Sequence, residues 1–417
     1  RKRMHGIVAG TITREIDRGD RGSRGVDRFE LATHLCGAAD GPDLAAGTAA
    51  LEAARVAYRT APLVSTDWAT RALDLLPEES CVRLDAEVLL ARSLFNGSRP
   101  RSASDAALTA MPRLHGPERS RMASIAVNGF YMAGGIEEAL NVVEHELGIG
   151  SSNCPLLAMR VHLLAQLGRV DEAIDGIALA IESVEGSHVA QVIALSHLLH
   201  AGNLLSRRDV TAEVIHRFDN LEAPLGSRTG FSIDAVRALD YIFELRESGA
   251  LDAGEQRLAN LRDAYGSNAE TSLGGQVEAA AVQAHWLRGR WDEALAAAQN
   301  AAFDLARYET TILISAIRSV EAIISAERGM KQDALALEPA LISPISALDS
   351  TVALARVRIR RVADDDAGAV ALLSHWFEHA TAPRTFLGNA RLAEEWVDLE
   401  EHSGHVQSAQ ILAELVD

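Results

Sequence analysis

Lysine is almost missing from this chain. Lys2 and Lys331 are the only two in 417 residues, while arginine is abundant. This leaves almost nothing for Schiff-base chemistry, and no Gly-x-x-x-x-Gly-Lys-Ser/Thr phosphate loop occurs. Aromatic residues make up 5%, too few to line the apolar pocket of an all-helical terpene-type enzyme. There are three cysteines, Cys36, Cys81 and Cys154, far apart and odd in number. That pattern excludes a disulfide framework and fits free core thiols in a reducing cytoplasm. No run reaches the ~18 apolar residues a bilayer span needs, and no secretory signal follows Arg1, Lys2 and Arg3. Cytoplasmic localisation with no membrane contact is therefore expected. Sustained alternation of β-branched residues is also missing, so strands are not expected.

Basic charge is in deficit: the formal net charge is −18. A surface that holds DNA or RNA must be basic, because phosphate contacts dominate that affinity. Direct nucleic-acid contact by this chain is not expected.

The hydrophobic fraction, by contrast, is 48%, mostly alanine and leucine. Small and straight-chain residues favour helix and let helices approach closely. An internal pattern recurs: a glycine, four residues, then a small residue that opens an apolar helical run. It reads Gly134 to Ala139, Gly168 to Ala173, Gly249 to Gly254, Gly289 to Ala294, Gly329 to Ala334 and Gly404 to Ala409. The fullest copies are Gly-Arg-Val-Asp-Glu-Ala-Ile (168–174) and Gly-Arg-Trp-Asp-Glu-Ala-Leu (289–295). The steps are 34, 81, 40, 40 and 75 residues, the long ones spanning two units each. Degenerate copies are expected at Ser206–Thr211 and around Asp364–Gly368. The physics is direct. Glycine closes one helix in a left-handed cap. Acidic residues suit the positive N-terminal end of the next helix. The small residue lets the second helix lie close on the first.

This pattern resembles the tetratricopeptide repeat from about residue 80 to 417. The chain departs from that family in lacking most of its large aromatic packing residues, and in units nearer 40 than 34 residues. The resemblance implies an all-α fold, a right-handed superhelical solenoid of about nine to ten helix pairs. Residues 1–40 read differently and are expected to form an arm before the repeats of 41–417. Their Glu30-Leu31-Ala32-Thr33-His34-Leu35 and Ala38-Ala39-Asp40 resemble the segment after the ATP-binding module of large LuxR-type regulators (MalT-like, STAND-class). Ala45–Pro77 resembles the first helix pair of their repeat domain. The resemblance implies a sensor domain whose ATPase and helix-turn-helix modules lie outside this chain, with ATP a cofactor of the parent protein and none needed here. The alternative is a stand-alone tetratricopeptide scaffold with a protein client. A third class, an all-helical enzyme, has no supporting motif.

Three constellations invite a chemical reading. His375 and His379 share a helical face, but no third metal ligand is evident. Asp364-Asp365-Asp366 reads as helix N-terminal carboxylates. Glu394-Glu395-x-x-Asp398 faintly resembles an acidic prenyl-diphosphate motif without the aromatic pocket. No catalytic residue and no metal site is expected, so the chain should be a binder and not an enzyme. In a stack of helix pairs the concave face is lined by the first helix of each pair. Aligning the glycines puts Arg121, Asn128, Tyr131, His162, Arg246, Gln283 and Trp286 on that face. Polar groups there are costly if buried unpaired, which favours a groove for a small-molecule or peptide effector or a protein partner, self-association included.

Overall fold

The computed structural model describes residues 2–17, 25–58, 60–150, 154–205, 207–221, short stretches between 252 and 260, and 272–305, 311–341, 350–379 and 387–402. Every regular element among the described residues is a helix, and none of those helices is long and apolar enough to cross a membrane. Contacts divide the chain into two compact units, Arg1–Gly129 and Phe130–Asp417.

The first unit holds α1 (Lys2–Asp17), α2 (Gly25–Ala38), α3 (Leu44–Ala57), α4 (Pro62–Leu75), α5 (Arg83–Asn96), α6 (Pro100–Ala110) and most of α7 (Gly116–Met132). From α1 to α6 each helix packs against its neighbour in sequence, ending with α5 on α6. Local signals set the boundaries. Asp43 caps α3, its carboxylate accepting from Ala46 N at 2.9 Å, and Pro62 opens α4, where a missing N–H costs nothing. The core between α2 and α5 is Cys36, Ala46, Ala50, Leu51, Ala54, Ala69, Ala72, Leu76, Ala86 and Leu89. So many alanines bring backbones close. Gly129 on α7 is the extreme case: a Cβ there would run into the Pro100 carbonyl and the Ser104 hydroxyl of α6.

The second unit continues with α8 (Ile136–Gly148), α9 (Cys154–Gln166), α10 (Val170–Glu182), α11 (His188–Leu204), α12 (Arg208–Asp219), α13 (Ser272–Leu287), α14 (Trp291–Leu305), α15 (Thr311–Glu327), α16 (Lys331–Leu337), α17 (Ser350–Val362), α18 (Asp366–His379) and α19 (Leu387–His402). Paired helices pack on each other: α9 with α10, α11 with α12, α13 with α14, α15 with α16, and α17 with α18. First helices also stack on the next first helix, α9 on α11, α13 on α15, α15 on α17 and α17 on α19.

The expected turn is realised at every described copy. Gly134, Gly168, Gly289 and Gly329 all have positive φ, between 70° and 89°. Each donates to the carbonyl three residues back, and the next residue donates five back, as in Gly168 N to Ala165 O (3.1 Å) and Arg169 N to Leu164 O (2.9 Å). This is the Schellman arrangement. Ala139, Ala173, Ala294 and Ala334, five residues on, are all wholly buried. The same turn occurs twice without glycine. Asp364 (φ 63°) precedes the buried Ala369, and Ser98 (φ 58°) precedes the buried Ala103, with matching hydrogen bonds. The first was expected as a degenerate copy and the second was not. They put Ser98 36 residues before Gly134, and Asp364 35 after Gly329. These two steps lie close to the 34 residues from Gly134 to Gly168, while Gly289 to Gly329 keeps a step of 40. Gly249, Gly254, Gly404, Ala409 and Ser206 lie outside the described residues.

Arginine's abundance has a structural outlet. Arg83 donates to the Leu73 and Leu76 carbonyls, Arg217 to Ile181 O and Arg356 to Leu341 O, each within 2.9 Å, at a segment end upstream. A fork of donors satisfies such orphan carbonyls better than the single ammonium of lysine. Cys36 and Cys154 are buried thiols, their pKa raised by burial. Cys81 departs from the expected core role and is exposed.

Candidate functional site

A polar interior of the second unit lies where Tyr131, after the unit boundary, meets α9 and α11. His162 on α9 is wholly buried, in a helix whose other residues are mostly apolar. Its Nδ1 lies 2.8 Å from Nδ1 of His197 on α11, and its Nε2 lies 3.3 Å from the Gln166 amide nitrogen one turn on. An amide nitrogen can only donate, so His162 Nε2 accepts, its proton sits on Nδ1, and that proton is donated to His197. Turning the Gln166 amide over would reverse the relay without changing the number of protons. Gln166 Oε1 is buried with no partner.

His200, one turn after His197, lies with its ring 5.3 Å from that of His162, and Tyr131 at the end of α7 stands edge-on to His162 at 4.9 Å. Burial, followed by the neighbouring imidazoles, holds His162 well below the usual histidine pKa. Burial and His200 push His197 down to about 3, and burial alone takes His200 to about 4. At neutral pH the cluster is uncharged, a set of rings joined by directional hydrogen bonds. Among the described residues no three His, Cys, Asp or Glu side chains are arranged to hold a metal ion.

Tyr131 also packs into the large apolar cluster that contains Trp286, Val282, Ile317 and Ile323. Trp286 at the end of α13 is 8% exposed, and the guanidinium of Arg391 from α19 stacks over its indole at 4.6 Å. Gln283, one turn earlier on α13, is half-buried.

The residues expected on one face thus fare differently. Tyr131 and His162 touch, and Tyr131 and Trp286 share a cluster. The sequence reading placed His162 in a solvated groove, but it is sealed and bonded to other polar groups. Trp286 is likewise covered. Arg121 is exposed and pairs with Glu118 at 3.2 Å, and Asn128 donates to Ser124 O within its own helix. Arg246 lies outside the described residues. The acidic runs behave as helix-end and ion-pair groups. Asp365 accepts from Gly368 N at the start of α18, while Glu395 and Asp398 each hold Arg361 at 2.6 Å. His375 is exposed, and the side chain of His379 lies outside the described residues.

Sequence reasoning missed His197, His200, Gln166 and Arg391. One signal would have found His200. It stands six residues before Ser206, the same register as His162 before Gly168 and Gln283 before Gly289. Comparison with known proteins adds no family: no protein-family model matches the chain, and no curated protein does.

Proposed function

We propose that this chain is the ligand- or partner-binding sensor domain of a LuxR-type transcription regulator, with its ATPase and helix-turn-helix modules outside the chain. The fold of that domain is a right-handed tetratricopeptide-like superhelix. It binds through the faces of its first helices and is not itself an enzyme. The observation that carries the binding reading is the Tyr131, His162, His197, His200 and Gln166 cluster. Polar rings are spent there at the junction of three first helices, where leucine would pack more cheaply. The regulator reading rests on the residues 30–40 resemblance and on the repeated turn.

Sequencing the reading frame on both sides tests it. A phosphate loop upstream and a helix-turn-helix downstream are expected. A frame with neither would overturn the regulator reading and leave the scaffold reading, with a protein client, in its place.

A further inference from the structure

Arginines in the second unit are held in ion pairs or on carbonyls almost without exception. From Arg288 to Arg361 every described arginine side chain has a carboxylate or backbone carbonyl partner. Arg328 shows the ordinary solution beside an indole: it lies 5.8 Å from the Trp291 ring centroid and is paired with Asp292 at 2.8 Å.

Arg391 is different. Its guanidinium lies over the Trp286 ring, half-buried, and among the described residues no ion pair and no hydrogen bond holds it. Glu394 and Glu327 attract it through space, and neither bonds it directly. Glu327 bonds Arg358 at 3.1 Å, Glu395 is held by Arg358 and Arg361, and Glu394 is exposed. Arg358 adds a second cation close by, and its Nε is buried without a partner. Desolvation, the largest cause, lowers the Arg391 pKa from the usual arginine value; Arg358 lowers it too, against the opposing attraction of Glu394 and Glu327. The stacked pair bridges α19 and α13, between which α15 and α17 intervene in the series of stacked first helices.

An indole face steadies a guanidinium but offers its fork of N–H donors no acceptor, and a half-buried charge without a hydrogen-bonded partner is costly. We propose that Arg391, seated on Trp286 and supported by Arg358, is the anchor of a binding site for a small oxyanion, a carboxylate or phosphate group of the effector. The inference rests on the reading of the first-helix face as the binding face, and commits the ligand there to an anion. Two oxygens of a carboxylate or phosphate satisfy the fork bidentately. The chain's charge of −18 disfavours adventitious anion uptake, so a saturable response is informative.

The test uses the 417-residue chain in thermal unfolding and tryptophan fluorescence. It is titrated with sodium phosphate or sodium succinate against sodium chloride at equal ionic strength. The wild type should gain a saturable rise in Tm with one of the two anions, and which one tells phosphate from carboxylate. Arg391→Met should raise the anion midpoint at least about tenfold, Arg391→Lys less, and Trp286→Phe should remove the fluorescence change. Without anion, Arg391→Met should be no less stable than wild type, because it removes an unpaired charge. Equal responses in wild type and Arg391→Met, or no response in either, would overturn the site. So would a large loss of stability in anion-free Arg391→Met, which would make Arg391 a structural clasp. Those failures leave the first-helix face as the binding face untouched.

Discussion

His162 and His197 oppose each other Nδ1 to Nδ1 at 2.8 Å, so one proton between them joins α9 to α11. At most one of the two rings can be protonated while that bond exists, because two protonated imidazoles would point N–H at N–H.

Acid should therefore loosen the second unit. The unfolded histidines titrate near 6.5, and the folded ones far lower, His197 at about 3 and His200 at about 4. Between those values the unfolded chain binds more protons, so stability rises with pH. It is complete above pH 6.5 and is lost as pH falls from there toward pH 4. Tm against pH should show this slope, shallower in His162→Phe and His197→Phe. Equal slopes in wild type and both variants would remove the cluster as its cause.

Gly129 should tolerate no side chain. Gly129→Ala puts a Cβ into the Pro100 carbonyl and Ser104 hydroxyl, whose oxygen also donates to Ala126 O at 2.8 Å. A loss of about 2 kcal/mol or more is expected in urea unfolding. Gly10→Ala, in the middle of α1 with open space around it, should gain up to about 1 kcal/mol.

The repeat turn makes a paired prediction. Gly168→Ala should cost about 1 kcal/mol, because φ is +71° with nothing near the new Cβ, so only backbone strain is measured. Asp364→Gly should be neutral or gain up to about 1 kcal/mol in the same assay. It relieves the same strain and loses only the exposed pair with Lys331, which is worth little.

The small residue five positions on should be equally strict. Ala173 and Ala294 are wholly buried against the preceding helix. Ala173→Leu and Ala294→Leu should each cost about 1–3 kcal/mol by overpacking, while Ala178→Leu, on the exposed side of α10, should leave Tm nearly unchanged.

The helical fold, the turn glycines and the buried alanines were legible in the sequence because one local geometry repeats them. The turn at Ser98 was hidden, and that at Asp364 legible only as a degenerate copy, because a non-glycine residue can hold positive φ once the flanking hydrogen bonds, such as Arg99 N to Leu94 O, impose it. The site was half legible. Tyr131, His162 and Trp286 were picked by register, yet they were expected in solvent. Periodicity tells which helix face a residue occupies, not what covers it, and here the cover is His197, His200 and Arg391 from distant stretches of chain. Arg358 stands six residues before Asp364, in the same register as His162 before Gly168. Accepting Asp364 as a turn residue would have exposed it.

The central claim is that the first-helix face binds the effector. Its most direct test is thermal unfolding of the chain with and without a protein-free small-molecule extract of the source cells, in wild type, His162→Ala, Gln283→Ala and Leu179→Ser. Leu179 is 58% exposed on α10, a second helix. The account predicts that the extract raises Tm in the wild type and in Leu179→Ser, and that the rise falls by about tenfold in effective concentration or disappears in folded His162→Ala and Gln283→Ala. A rise retained in both first-helix variants and lost in Leu179→Ser would contradict it.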